Sequence, residues 1–209
     1  MPHIRLWFSP GACSLAPHVA LREAGIDFEP IEVTFESVSS EFVKLNPKKR
    51  IPVLAIDDEI ITEIPAIMTA ISQQKPDSNL LGRNDLEIVR TYEWMNWLSG
   101  TLHGQCFGTL YRPARFTSKP ELHKDLQEHA IVTIKECFDS IEHQLSDIHA
   151  VGQGFTVVDA YLLVFWRWGN KTQGIDMTDY PRYSALASAV LDRASAKTVM
   201  DVERLSSRI

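Results

Sequence analysis

The hydrophobic pattern of the chain changes character about a third of the way along. Up to residue 75 or so, short apolar runs closed by turn residues alternate with stretches of helical spacing. Ile4-Arg5-Leu6-Trp7-Phe8 predicts a buried strand, stopped at Ser9-Pro10-Gly11 where a φ-fixed residue meets a permissive one. Helical spacing follows over residues 13–24, with Pro17 in the first turn and Gly25 placed as the residue beyond the cap. Residues 28–33 predict a second strand and 40–45 a short helix ending before Asn46-Pro47. Residues 53–56 and 59–62 flank Asp57-Asp58 as a tight hairpin, and helix returns over 65–74 with Pro65 at its start. This order implies one parallel crossover and an antiparallel pair, hence a four-stranded mixed sheet with helices on its faces.

Residues 77–84 are polar and rich in helix breakers, as a linker would be, and everything beyond is helical in pattern. Ile131, Ile134, Phe138, Ile141, Leu145 and Ile148 draw one apolar stripe at spacings of three and four. The expected organisation is an α/β unit over 1–76, the linker, and an all-α unit over 85–209.

Composition narrows the class. The chain has 209 residues, 44% of them hydrophobic, and a net charge of −6 with no basic block, which argues against nucleic-acid or anionic-membrane binding. The N-terminus lacks the order of features of a secretory leader, and the longest apolar run, residues 160–166, is too short for a bilayer. Three cysteines without a CxxC pair predict reduced thiols and a cytoplasmic setting. The histidines show no metal-ligand spacing, so no metal is expected.

Chemistry concentrates at the end of the first strand. Cys13 stands where a helix begins, and unpaired N–H groups with the positive end of the dipole favour a thiolate there, its own or a substrate's. A small buried cysteine is the other reading. Glu63 precedes the third helix, either as an ordinary complement to the dipole or as the acceptor of a ligand ammonium whose carboxylate meets the helix N-terminus. Asn96 and His103 are two α-turns apart with Ser99 between them, a polar face that is either solvated or turned to a ligand. Thr156 and Asp159 form a capping box at the start of an apolar helix, a structural role.

The segments SPGACSLAPHVALREAGIDFE, NPKKRIPVL, ITEIPAIM and FTVVDAYL, in this order and spacing, resemble bacterial beta-class glutathione transferases over most of the chain. The resemblance implies a thioredoxin-like glutathione-binding domain followed by an all-helical one, a homodimer, and glutathione as co-substrate. It places Cys13 and His103 at the glutathione sulfur. Ala12, Ile51, Pro52, Glu63, Ile64 and Asn96 would contact the tripeptide, with a cis bond at Ile51-Pro52 opening the Ile51 backbone to it. Apart from the resemblance, Tyr111, Arg112 and Trp168 either border a second, apolar pocket for the electrophile or, for the two aromatics, belong to the core.

The chain also departs from that pattern. Ile64 stands where a small residue is usual, Thr101 where an acid is, and Gly104 where a lysine is. No basic residue occurs in Thr34-Phe35-Glu36-Ser37, and Lys49-Arg50 replace a glycine and an uncharged residue, Arg50 being a substitute cation for the glycyl carboxylate. Each charged hydrogen bond lost costs roughly 1.5–3 kcal/mol, and these changes touch ligand anchors rather than the core. The expected activity is conjugation of the glutathione thiolate to small electrophiles, with thiol-transfer or peroxidase chemistry through Cys13 as a side activity. The alternative is a weakly binding or non-catalytic partner protein with the same fold.

Overall fold

The computed structural model describes residues 2–34 and 40–206. Residues 35–37, where the missing basic residue was noted, lie outside them. Strand β1 (Ile4–Phe8) buries Ile4, Leu6 and Phe8 on one side and turns Arg5 and Trp7 to the other, as a period of two requires. It pairs in parallel with β2 (Glu29–Glu32) and antiparallel with β3 (Val53–Ile56), which pairs antiparallel with β4 (Glu59–Thr62), giving the order β2-β1-β3-β4. β2 is an edge strand, and its Pro30 and exposed Glu29 and Glu32 suit an edge.

One face of the sheet carries α1 (Leu15–Glu23) and α3 (Ile64–Gln74). The other carries α2 (Ser40–Leu45), where Phe42, Val33 and Val53 make a small second core around Trp7. α1 is buried from Leu15 to Leu21 because the sheet lies on one side and α7 (Val157–Lys171) and α9 (Ala194–Val202) on the other. The main apolar core therefore runs without a break from Leu6 to Met200. The stretch after α3 is tied to it: Leu80 is buried and its carbonyl accepts the Val157 N–H at 2.9 Å.

Beyond β4 the described residues form no further strand. α4 (Asp85–Trp97) runs into a π-helical segment, Leu98–Phe107, and then α5 (Gly108–Tyr111). α6 (His123–Gln144) buries Ile134, Cys137, Phe138 and Ile141, with Leu145 at its cap. Ile148, expected on this stripe, lies past the helix end and is exposed, because the turn does not continue. α8 (Pro181–Asp192) completes the bundle around α7. The start of α7 is held as its sequence indicated: Thr156 N–H donates to Asp159 Oδ2 at 2.7 Å and Ala150 N–H to Asp159 Oδ1 at 2.9 Å.

Candidate active site

The loop between β1 and α1 is built as a set of local turns. Gly11 has φ +70°, the left-handed region that glycine enters without cost. Ala12 N–H donates to Ser9 O at 3.1 Å, and the Ser14 hydroxyl accepts the Ser9 N–H at 3.0 Å and donates to Ser9 O at 3.2 Å. These bonds delay helix α1 to Leu15, two residues later than expected, so Cys13 sits just ahead of it. The helical half holds the same loop from outside: Gly11 N–H donates to Glu203 Oε2 at 2.8 Å, and Trp168 Nε1–H donates to Gly11 O at 2.9 Å. Glu203 in turn accepts from His18 Nδ1 at 2.8 Å, with both side chains fully buried.

Cys13 is buried, and its thiol donates to the carbonyl of Ile51 at 3.6 Å. The Ile51-Pro52 bond is cis, as the resemblance implied. The expected activation of this thiol does not hold. Burial pushes the Cys13 thiol up to about 12, against the opposite pull of the Cys13 and Ser14 N–H groups and of Arg112. Desolvation of a charged sulfur outweighs the helix-end field.

Glu63 is the residue before α3, with φ +70° and ψ 125°, which a side chain with a Cβ rarely adopts. That backbone points the carboxylate outward beside the helix N-terminus, where Lys48 Nζ meets it at 2.7 Å and also reaches Thr62 Oγ1 at 3.0 Å. The pair is exposed, so water or a ligand can replace either partner. Ile64, which follows, is buried and offers only its backbone.

His103 lies on the π-helical segment. A π-turn closes one residue later than an α-turn, so positions seven apart no longer share a face. Asn96 is accordingly exposed on α4 while His103 turns inward, which corrects the single polar face expected from α-helical spacing. Gly104 suits this winding, since a Cβ there would come within 3.1 Å of Ser99 O. His103 Nδ1 lies 3.3 Å from Tyr161 Oη, and the Ser99 hydroxyl also reaches the Tyr161 oxygen. Burial holds the Tyr161 phenol well above its usual range. Burial, and then the positive field of Arg112, Arg50 and Arg115, brings His103 down to about 4. The neutral imidazole and the protonated phenol share one hydrogen bond at Nδ1, whose direction follows the tautomer of the histidine.

The remaining candidates divide. Trp168 stands with its ring 5.4 Å from His103, 5.1 Å from Phe107 and 5.7 Å from Tyr111, so an aromatic wall adjoins the histidine. Arg112 exerts its field on both Cys13 and His103, and Glu63 acts on Cys13, His103 and Tyr161. Cys13, Ile51, Glu63, His103, Arg112 and Trp168 thus converge, whereas no hydrogen bond joins Asn96 to them among the described residues. Tyr161, Lys48 and Glu203 were not picked out from sequence. Among the described residues no group of three or more His, Cys, Asp or Glu side chains is placed to hold a metal, and no helix is long and apolar enough to cross a membrane.

Residues 2–73 match the family model for the glutathione S-transferase N-terminal domain. The glutathione S-transferase GstA of Escherichia coli O157:H7 is 31% identical over 97% of this chain and 100% of its own. The chain belongs to the glutathione S-transferase family. A beta-class glutathione S-transferase from Sphingomonas chungbukensis has a TM-score of 0.84 at 34% identity, covering 97% of this chain and all of its own. A glutathione transferase homologue from Sulfitobacter, solved with bound glutathione, has a TM-score of 0.92 at 26% identity, covering 98% of this chain and all of its own. The glutathione S-transferase architecture, a thioredoxin-like sheet followed by helices, is therefore that of the whole chain rather than of its first third.

Proposed function

We propose that the protein is a glutathione transferase whose tripeptide lies across Ile51 and Glu63, with its sulfur beside Cys13 and His103. The observation that carries this reading is the convergence of those four residues on one end of the sheet from four separate segments. Glu63 receives the ligand ammonium, displacing Lys48, while the Ile64 N–H at the start of α3 receives the carboxylate. Pro52 and Ala12 line the main-chain path, and Arg50 faces the glycyl carboxylate.

The chemistry follows from the charges. A thiolate is stabilised by N–H donors and a positive field, and the Cys13 and Ser14 N–H groups and Arg112 supply both. In the tautomer with its proton on Nε2, the neutral His103 donates a hydrogen bond to the glutathione sulfur and leaves proton release to solvent. The thiolate attacks a small electrophile held against Tyr111, Trp168 and Arg112. Cys13, kept protonated by burial, is not the nucleophile for conjugation; its sulfur is placed for exchange with glutathione disulfide, in which the Cys13–glutathione bond forms as the S–S bond of the disulfide breaks and one glutathione thiol leaves.

A homodimer is part of this reading. Leu86 and Val89 of α4 are 65% and 60% exposed, and Ile60 of β4 is also open to solvent. Exposed apolar side chains on α4 and β4, which both pack on α3, support burial against a second copy. The unpaired thiols suit a reducing compartment.

Calorimetric titration with glutathione, for the wild type and for Glu63→Ala, tests the site. We expect binding, weakened in the variant by roughly ten- to a hundredfold, the equivalent of one charged hydrogen bond. Conjugation of an aromatic halide then tests the reaction, and light scattering tests the dimer. Binding that Glu63→Ala leaves untouched would remove the proposed pose. The replacement of the family's small residue by Ile64 favours a second reading, a weakly binding partner protein, which absence of both titration heat and turnover would select.

A further inference from the structure

Cys106 and Cys137 take no part in the site described above, yet their Sγ atoms lie 3.9 Å apart. Cys106 is on the π-helical segment and Cys137 on α6, 31 residues apart in sequence, and both are buried. The contact depends on the winding of the π-segment, which turns Cys106 towards α6 while its neighbour Phe107 packs on Phe138. We propose that Cys106 and Cys137 form a peroxide-responsive dithiol that closes to a reversible disulfide, tying the π-helical segment to α6. A disulfide needs sulfurs about 2.05 Å apart, so closure asks for an approach of about 1.9 Å, within reach of side-chain rotation and a small helix shift.

The two thiols differ in the way such chemistry needs. The two sulfurs share one hydrogen bond, which draws the Cys106 thiol down and, together with burial, pushes the Cys137 thiol up. Cys13, without such a partner, stands near 12. Cys106 is thus the sulfur that reacts first. Its thiolate attacks one oxygen of hydrogen peroxide, the O–O bond breaks, and the hydroxide released takes a proton to become water. The Cys106 sulfenic acid is then attacked by Cys137, the S–O bond breaks, and the Cys137 proton leaves with a second water. Two thiols and one peroxide become one disulfide and two waters. Two buried thiols in contact can also be inert packing, and the experiment separates these cases.

The full-length protein is treated with hydrogen peroxide, denatured with iodoacetamide to trap remaining thiols, and mapped by mass spectrometry without reduction. The alkylated thiols are expected to fall from the three cysteines of the chain to Cys13 alone, with the Cys106 and Cys137 peptides joined and separated again by dithiothreitol. Cys106→Ser should keep both of its cysteines alkylated. Three alkylated thiols in the treated wild type, or sulfinic acid at Cys106 without a joined peptide, would overturn the proposal. So would a disulfide through Cys13. The wild-type map decides even where the serine variant does not fold.

Discussion

Tyr161 Oη lies 3.3 Å from His103 Nδ1, and this contact holds the imidazole by its Nδ1 edge. The phenol comes from the buried centre of α7 and the histidine from the π-helical segment, so two packed elements hold the ring. In the proposed site Tyr161 acts through His103, as a positioning residue.

Tyr161→Phe keeps the ring and its 4.8 Å packing on Phe165 but removes the hydrogen-bond partner of His103 Nδ1. The imidazole is then no longer held at that edge. We expect kcat to fall roughly five- to tenfold, as for loss of about 1 kcal/mol of orientation, with little change in KM for glutathione. Steady-state kinetics check this; a change confined to KM would show that the phenol touches the ligand instead.

His103 also gives the stability curve a definite shape. Its folded value of about 4 lies below the ordinary 6.5, so the unfolded chain takes up the proton first as pH falls. Above about 6.5 the group contributes no pH dependence. Between about 6.5 and 4 stability drops, by up to about 3 kcal/mol at 1.36 kcal/mol per unit, and below that range the loss is complete. Urea unfolding across this window should show a steeper decline for the wild type than for His103→Gln. Parallel curves would mean that the imidazole is not held neutral.

Cys13 should be slow to react. With its thiol near 12, alkylation by iodoacetamide should rise about tenfold per pH unit through the neutral and mildly alkaline range, with no plateau near neutrality. Glutathione should protect it by covering the Ile51 edge. Mass spectrometry of the Cys13 peptide follows both effects, and a neutral plateau would restore the activated-thiol reading. Cys13→Ala is accordingly expected to keep conjugation within a few-fold and to lose thiol transfer.

What was legible in the sequence depended on how local its cause was. β1, α2 and the β3–β4 hairpin follow the apolar pattern to the residue, because turn residues beside each run fix its ends. The Thr156–Asp159 box was readable since both partners sit within one turn. The start of α1 was placed two residues early because the Ser9–Ser14 bonds replace its first turn. The face shared by Asn96 and His103 failed for a different reason: no residue in Leu98–Phe107 announces π-winding, and the α period was the default. Tyr161 and Glu203 carry no local signal, since their partners His103 and His18 are 58 and 185 residues away.

Glu203 offers the sharpest test of how the helical half supports the site. Its two oxygens are divided between His18 Nδ1 and the Gly11 N–H, so one buried carboxylate joins α1 to the loop that carries Cys13. Leu205 reinforces the link, since its side chain lies 3.4 Å from where a Gly11 Cβ would be. Glu203→Ala leaves both donors buried without an acceptor and should cost about 2–6 kcal/mol, at roughly 1–3 kcal/mol for each unsatisfied group. Glu203→Gln keeps one carbonyl oxygen and should lose less. If that oxygen stays on the Gly11 N–H, affinity for glutathione is retained even as stability falls; if it stays on His18, the loop is freed and KM for glutathione rises. Urea midpoints and glutathione titrations on the two variants separate these outcomes. Equal stability of Glu203→Ala and the wild type would show that the carboxylate does not hold the loop.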